Sequence, residues 1–223
     1  MFAAGVALRI VFIVLYRPGF LGIPDSGTYI DSAQHKLFSD PYETAGYSLL
    51  VRIAHFIYPH LTFVILLQHA LGVATAALLY WAVRRVTGSE LLGLIPAVVV
   101  LFDGFGLWVE HSPLSDSLFG FTVALALTLA LVARSGRPVV TAGAGAAIAV
   151  AGIVRPVGLV LVPVVAAWLA WSWAGPRSIA ARATRTVALL APICALLAVY
   201  VVAQHSATLL TGLTLTTGTS TSP

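Results

Sequence analysis

The chain has 223 residues, 59% of them hydrophobic and only 9% charged, with a mean hydropathy of +0.97. A soluble domain carries about 25% charged residues, so a water-soluble globule is excluded. The net charge of +4 is dispersed among segments flanking apolar runs, which argues against a nucleic-acid partner. Those runs recur at lengths near the roughly 20 residues that span a bilayer. Short alternating segments of the β-barrel kind are absent. The expectation is an all-α polytopic membrane protein with about seven transmembrane helices, forming one membrane domain over 1–223.

The first span is expected over residues 1–16. It follows no basic region with a cleavage site and reads as a retained helix. At ~1.5 Å per residue it covers only about 24 Å, as if the chain began inside a longer helix. Arg9 within it is expected to snorkel or to face the bundle interior.

Residues 17–60 form the longest polar interruption and hold four of the eight acids: Asp25, Asp31, Asp40 and Glu43. Two short amphipathic helices are predicted here. One is capped by Asp25 or Ser26 and runs through Tyr29, Ile30, Ala33 and Leu37, ending before Asp40-Pro41. The second covers 46–58, with Ser48, Arg52 and His55 on one stripe. Leu49, Leu50, Ile53, Phe56 and Ile57 lie opposite, the pattern of a helix in the membrane interface.

Further spans are predicted over 61–83, 91–109, 113–132, 139–154, 157–173 and 186–204. The second closes at Arg84-Arg85. The third contains Asp103 and ends at Glu110-His111. Ser112-Pro113 has the form of an N-cap followed by proline at the first helical position. The fifth is rich in Gly and Ala, which favours close helix packing. The Thr/Ser-rich tail contains no clear further span. The lone cysteine, Cys194, forbids an intrachain disulfide and argues against a Cys-based metal site; a small buried apolar role is expected of it.

The loops at 84–90, 133–138 and 175–185 hold seven of the twelve basic residues and one acid, Glu90. The positive-inside rule makes these loops, and the N-terminus, cytoplasmic. The 17–60 loop, the 110–117 loop and the Arg155-Pro156 turn then share the outer face. No inverted pair of broken helices suggests a transporter.

Three groups therefore converge at the outer surface: Asp25, Tyr29 and Asp31 with Arg52 and His55; Glu110, His111, Ser115 and Asp116; and Arg155. Arginine neutralises a phosphate bidentately, and a carboxylate takes a proton from an attacking hydroxyl. This chemistry suits a phosphorylated lipid. Plainer roles stand beside these. Asp25 serves equally as a helix cap, Asp116 as a partner of a helix dipole, and Glu110-His111 as an interfacial pair. Arg155 equally ends a helix, and Arg9 with Asp103 suits a structural ion pair. No His-Glu-x-x-His is present, and His35, His55, His60 and His205 lack zinc-site spacing.

Five motifs carry a resemblance. Pro24-Asp25-Ser26-x-x-Tyr29 follows the first span, and Gly46-Tyr47-Ser48-Leu49-Leu50 opens the second amphipathic helix. Gln68-His69-Ala70-Leu71-Gly72 leads through Leu79-Tyr80 to Arg84-Arg85. Glu110-His111-Ser112-Pro113-Leu114-Ser115-Asp116-Ser117-Leu118-Phe119 and Val154-Arg155-Pro156-Val157-Gly158 complete the set. In this order, from about residue 9 to 169, they resemble GT-C-type glycosyltransferases, in particular actinobacterial-looking members.

The resemblance implies a plasma-membrane transferase of the cell envelope that uses a polyprenyl-phosphate-linked sugar as donor. Membrane lipids surround it, and its acceptor is unidentified. The family's general base falls on Asp25, and the two amphipathic helices would shape the cleft for the lipid carrier. Tyr29, Arg52, Glu110, His111, Asp116 and Arg155 would line the substrate site, with Arg155 or Arg52 stabilising the departing phosphate. No certain cofactor is implied; a divalent cation bridging Asp25 and the donor phosphate is left open. Well-known members pair two acids where this chain has Asp25-Ser26, and they are usually longer. Against the enzyme stand a non-catalytic transporter or lipid-handling scaffold, and an inactive fragment of such an enzyme.

Overall fold

The computed structural model describes residues 1–35, 37–38, 44–133, 137–172 and 179–217, with side chains as far as 207. The expectations placed on Asp40, Glu43, Arg134 and Arg177 lie outside the described residues. Within them every regular element is a helix: α1 Phe2–Leu15, α2 Pro24–Gln34, α3 Ala45–Ile57, α4 Leu61–Thr87, α5 Glu90–Phe102, α6 Gly104–Glu110, α7 Asp116–Ala133, α8 Pro138–Val154, a 3-10 turn Pro156–Val160, α9 Leu161–Ser172 and α10 Ile179–Thr217.

The spine of the bundle is the series α5, α4, α7, α8 and α10, each packed on the next, with α1 against α4 and α5. The alanines and glycines of α8 make this possible, because small side chains let helix backbones approach. Ala147 and Ile148 of α8 meet Ala126 and Ala130 of α7, Val165 and Leu169 of α9, and Leu189 and Ile193 of α10 in one buried cluster. A second cluster joins Tyr29 and Ala33 of α2, Tyr47, Val51 and Ala54 of α3, and Val64 of α4. That cluster seats the polar loop's helices on the end of the bundle.

Among the described residues three helices are long and apolar enough to cross a membrane, α4, α7 and α10; α5 with α6 makes a fourth if the bent pair counts as one span. The described residues do not support the seven expected spans. At ~1.5 Å per residue, the 14 residues of α1 reach about 21 Å, short of the ~30 Å hydrocarbon core. The segments expected over 139–154 and 157–173 are likewise short apolar helices, separated by the 3-10 turn at Pro156. The run 91–109 is not continuous either. It bends by 57° between α5 and α6. Asp103 causes the break: its carboxylate accepts from the backbone N–H groups of Phe105 and Gly106, at 3.3 and 2.9 Å, and so caps a new helix.

Other boundaries also move. Pro24 occupies the first turn of α2 behind Ile23 at the N-cap, so neither Asp25 nor Ser26 caps that helix, which ends at Gln34 rather than reaching Leu37. Proline suits this place because its missing N–H would have no partner there. Ser112-Pro113 does not open a helix. Ser112 donates to the Trp108 carbonyl at 3.0 Å, and α7 starts at Asp116. Arg182 and Arg185, expected in a loop, lie within α10. Cys194 is exposed rather than buried. α4 runs past its expected end at 83 until Gly88, whose φ of 71° lies in the left-handed region that terminates helices.

Candidate functional site

The polar residues form three separate assemblies. The first is the surface of α2 and α3. Asp25 is exposed in the first turn of α2, where the helix dipole favours a negative charge. Among the described residues its carboxylate makes no hydrogen bond or ion pair. α3 buries Tyr47, Ser48, Val51 and Ala54, while Leu49, Ile53, Phe56 and Ile57 are exposed, Phe56 at 91%. Ser48 therefore points inward, apart from the polar stripe it was expected to share with Arg52 and His55. The outward apolar face is the one an interfacial helix offers to lipid.

Between these helices and the start of α4 lies a groove of ≈ 690 Å³, lined largely by apolar side chains such as Leu21, Ile30, Val51 and Phe56, with Arg52, His55 and His60 also on its walls. Arg52 Nε donates to the Ala33 carbonyl at 2.5 Å, tying α3 to α2. Asp31 is exposed and bonds His35 at 3.0 Å. Asp25 is not among the groove-lining residues.

The second assembly is buried. Arg9 of α1 donates from Nε and Nη2 to the two carboxylate oxygens of Glu110, at 2.8 and 2.7 Å, and from Nη1 to the Leu101 and Gly5 carbonyls, at 3.0 and 3.2 Å. Its partner is thus Glu110, not Asp103. His69 Nδ1 lies 2.8 Å from Glu110 Oε2, and His69 Nε2 lies 3.1 Å from His111 Nδ1. His111 Nε2 donates to the Tyr16 carbonyl at 2.7 Å. Because that carbonyl only accepts, Nε2 carries a proton. In a neutral imidazole Nδ1 is then an acceptor, and it faces His69 Nε2.

Burial pushes the His111 imidazole below its ordinary pKa and nearby His69 adds to that, against the opposing bond to Tyr16. Glu110 and His111 are 5% and 1% exposed. Glu110 lines a shallow pocket of ≈ 240 Å³, open at the surface, that it shares with Asp116 and Ser117, and His111 is not on its wall. Gly72 makes room for this carboxylate, since a Cβ there would lie 1.8 Å from Glu110 Oε1.

The third assembly joins the loop helices to the bundle. Tyr29 Oη is 3.1 Å from Ser115 Oγ, which also accepts from Arg155 Nε at 2.9 Å. Arg155 Nη2 donates to Asp116 at 2.6 Å, and both side chains are partly exposed. Gln68 links the second and third assemblies. Its amide donates to the Glu110 and Ser112 carbonyls at 2.9 and 2.6 Å, and its oxygen accepts from the Tyr47 hydroxyl. Burial first, then the neighbouring Tyr29 and Asp116, hold the Tyr47 phenol well above its ordinary pKa, so it remains a donor.

Tyr29, Asp116 and Arg155 thus come together as expected of neighbours. Arg52 stands apart with His55, and Asp25 stands apart from both. Gln68 and Tyr47 were not singled out as site residues. Their signal was available, since two adjacent polar residues, Gln68-His69, inside an apolar run belong on an interior face. Among the described residues, no three His, Cys, Asp or Glu side chains converge to hold a metal ion. No family model, curated protein or solved structure matches the chain.

Proposed function

We propose that the chain is an integral-membrane glycosyltransferase of the GT-C type, moving a sugar from a polyprenyl-phosphate donor to an acceptor hydroxyl at the outer face of the plasma membrane. The observation that carries this reading is the surface of α2 and α3. It offers a solvent-facing carboxylate without a partner, Asp25, and an apolar groove of ≈ 690 Å³ with cationic and imidazole groups on its walls. An apolar channel suits a prenyl chain, and Arg52 with His55 suits its phosphate.

In the proposed reaction the acceptor oxygen attacks the anomeric carbon as the bond from that carbon to the phosphate oxygen breaks. The configuration inverts in this single displacement. Asp25 takes the acceptor proton, and the phosphate leaves with the bonding electrons toward Arg52, a step that requires these two residues, apart in this structure, to meet on one sugar. Arg155 is the weaker candidate for that role, because Asp116 already balances its charge. Glu110 and His111 are left as supports of the fold rather than substrate ligands, since both are enclosed. The basic Arg84 and Arg85 at the end of α4 support a cytoplasmic side opposite the loop helices.

The second reading is a non-catalytic transporter or lipid-handling scaffold. It is favoured by the Arg9–Glu110–His69 cluster, because ionisable groups within apolar helices mark transport paths as well as structure. Sugar transfer from a polyprenyl-phosphate donor, measured for the intact chain and for Asp25→Asn, separates the readings. Loss of a general base lowers the rate by about 10²–10⁴-fold, while stability stays within about 0.5 kcal/mol because the site is exposed. Equal transfer by both proteins removes Asp25 as base, and transfer by neither favours the scaffold.

A further inference from the structure

We propose that the groove between α9 and α10 is a binding site for an anionic phospholipid of the membrane leaflet at that end of the bundle. α10 packs along α8, and α9 rests on α7 and α8, which leaves a groove of ≈ 380 Å³ between α9 and α10. Its walls follow from helical spacing. On α10, Arg182, Thr186, Leu189 and Leu190 stand at i, i+4, i+7 and i+8 and share one face. On α9, Ala166 and Ala170 lie one turn apart, and their small side chains keep the groove open.

Polarity changes along the groove. Arg182 is in the first turn of α10, and at ~1.5 Å per residue Leu190 lies about 12 Å further along the helix. One end is therefore cationic and the other apolar, the order of a phospholipid's phosphate and acyl chain. Arginine meets a phosphate with paired N–H donors. The Thr186 hydroxyl donates to the Arg182 carbonyl at 3.1 Å, so toward a ligand it accepts, as from a hydroxyl of a glycerol headgroup.

Two further features fit this occupant. Trp168 and Trp171, in the last turns of α9, are exposed, and exposed tryptophan belongs at the headgroup level of a bilayer. α8, α9 and α10 carry no Asp or Glu, so the surface around Arg182 and Arg185 is positive by composition. A choline headgroup would bring another cation to that surface, and the repulsion selects a lipid with net negative charge. A symmetric pairing of two copies through this face would set arginines against arginines. The inference rests on the membrane-embedded reading of the chain and not on its catalysis.

Native mass spectrometry of the full chain, released from micelles carrying equal mole fractions of dioleoylphosphatidylglycerol or dioleoylphosphatidylcholine, reads the bound lipid. The wild type should bind the phosphatidylglycerol at least about fivefold more tightly, the effect of one arginine near anionic headgroups. Arg182→Gln should reduce that preference to less than about twofold. Ala170→Phe fills the groove without changing charge and should weaken phosphatidylglycerol binding by about fivefold. Arg137→Gln removes a charge outside the groove and should leave the preference within about twofold of wild type. Equal binding of the two lipids by the wild type, an undiminished preference in Arg182→Gln, wild-type binding by Ala170→Phe, or an equal loss in Arg137→Gln overturns the proposal. So does a dimer that Ala170→Phe dissociates, which would give the groove to a second copy. No outcome depends on sugar transfer, so this result and that of the catalytic reading are separable.

Discussion

Truncation of Glu110 is the sharpest probe of what holds this bundle together. In Glu110→Ala, Arg9 loses both charge-assisted bonds and His69 loses its bond at 2.8 Å. The Arg9 side chain is only 3% exposed, so its charge cannot simply return to solvent; the Leu101 and Gly5 carbonyls remain as its partners. Removing one member of a buried pair costs about 3–5 kcal/mol. Glu110→Gln should cost less, about 1–3 kcal/mol, because its oxygen still accepts from Arg9 and its amide can donate to His69. Replacing both charges, as in Arg9→Met with Glu110→Met, should cost less than the two single changes added together, with a coupling of roughly 2 kcal/mol. Unfolding titrations of purified protein in mixed micelles measure all five variants, the two Met singles included. A cost below about 1 kcal/mol for Glu110→Ala, or strict additivity in the double variant, would falsify the assignment of this pair as the central tie.

Two further substitutions examine the neighbours of that tie. Gly72→Ala places a methyl group 1.8 Å from Glu110 Oε1. It should therefore destabilise by about 2–4 kcal/mol, although alanine favours a helix over glycine by ~1 kcal/mol; a neutral result in the same titration would mean the carboxylate sits elsewhere. Asp116→Asn breaks the pair with Arg155, whose side chains are 41% and 37% exposed. Solvent screening limits its worth to about 0.5–1 kcal/mol, and a much larger loss of stability would show that Arg155 depends on it for more than charge.

The helices were legible wherever apolar runs were long. The segments that became α4, α7, α8 and α10 were all anticipated, as were two short helices in the polar loop. Hydropathy was blind to where those runs break. Asp103 sat inside an expected span because one acid scarcely changes a window average, yet its carboxylate caps α6 and bends the path by 57°. Pro24 similarly displaced the cap from Asp25, because local backbone chemistry selects the first helical residue. On the site, the grouping of Tyr29, Asp116 and Arg155 was visible as shared proximity to one face. The burial of Glu110 and His111 was not. A glutamate and a histidine at the end of an apolar run look the same whether they face water or a buried arginine 101 positions away.

The sequence by itself determined that this is a helical, strongly apolar chain with one polar loop carrying the exposed Asp25, because composition and periodicity are local properties. It also indicated that Arg9 needed a partner if it faced the bundle interior, since a charge among apolar helices is too costly to leave unpaired. Only the tertiary structure decided which partner it takes. Three separate stretches, α1, α4 and α6, bring Arg9, His69 and Glu110 together, and the missing side chain of Gly72 leaves the space for that carboxylate. The same packing left Asp25 unpaired at the surface of α2 and drew Glu110 inward, a division between two carboxylates set by helix contacts far apart in sequence.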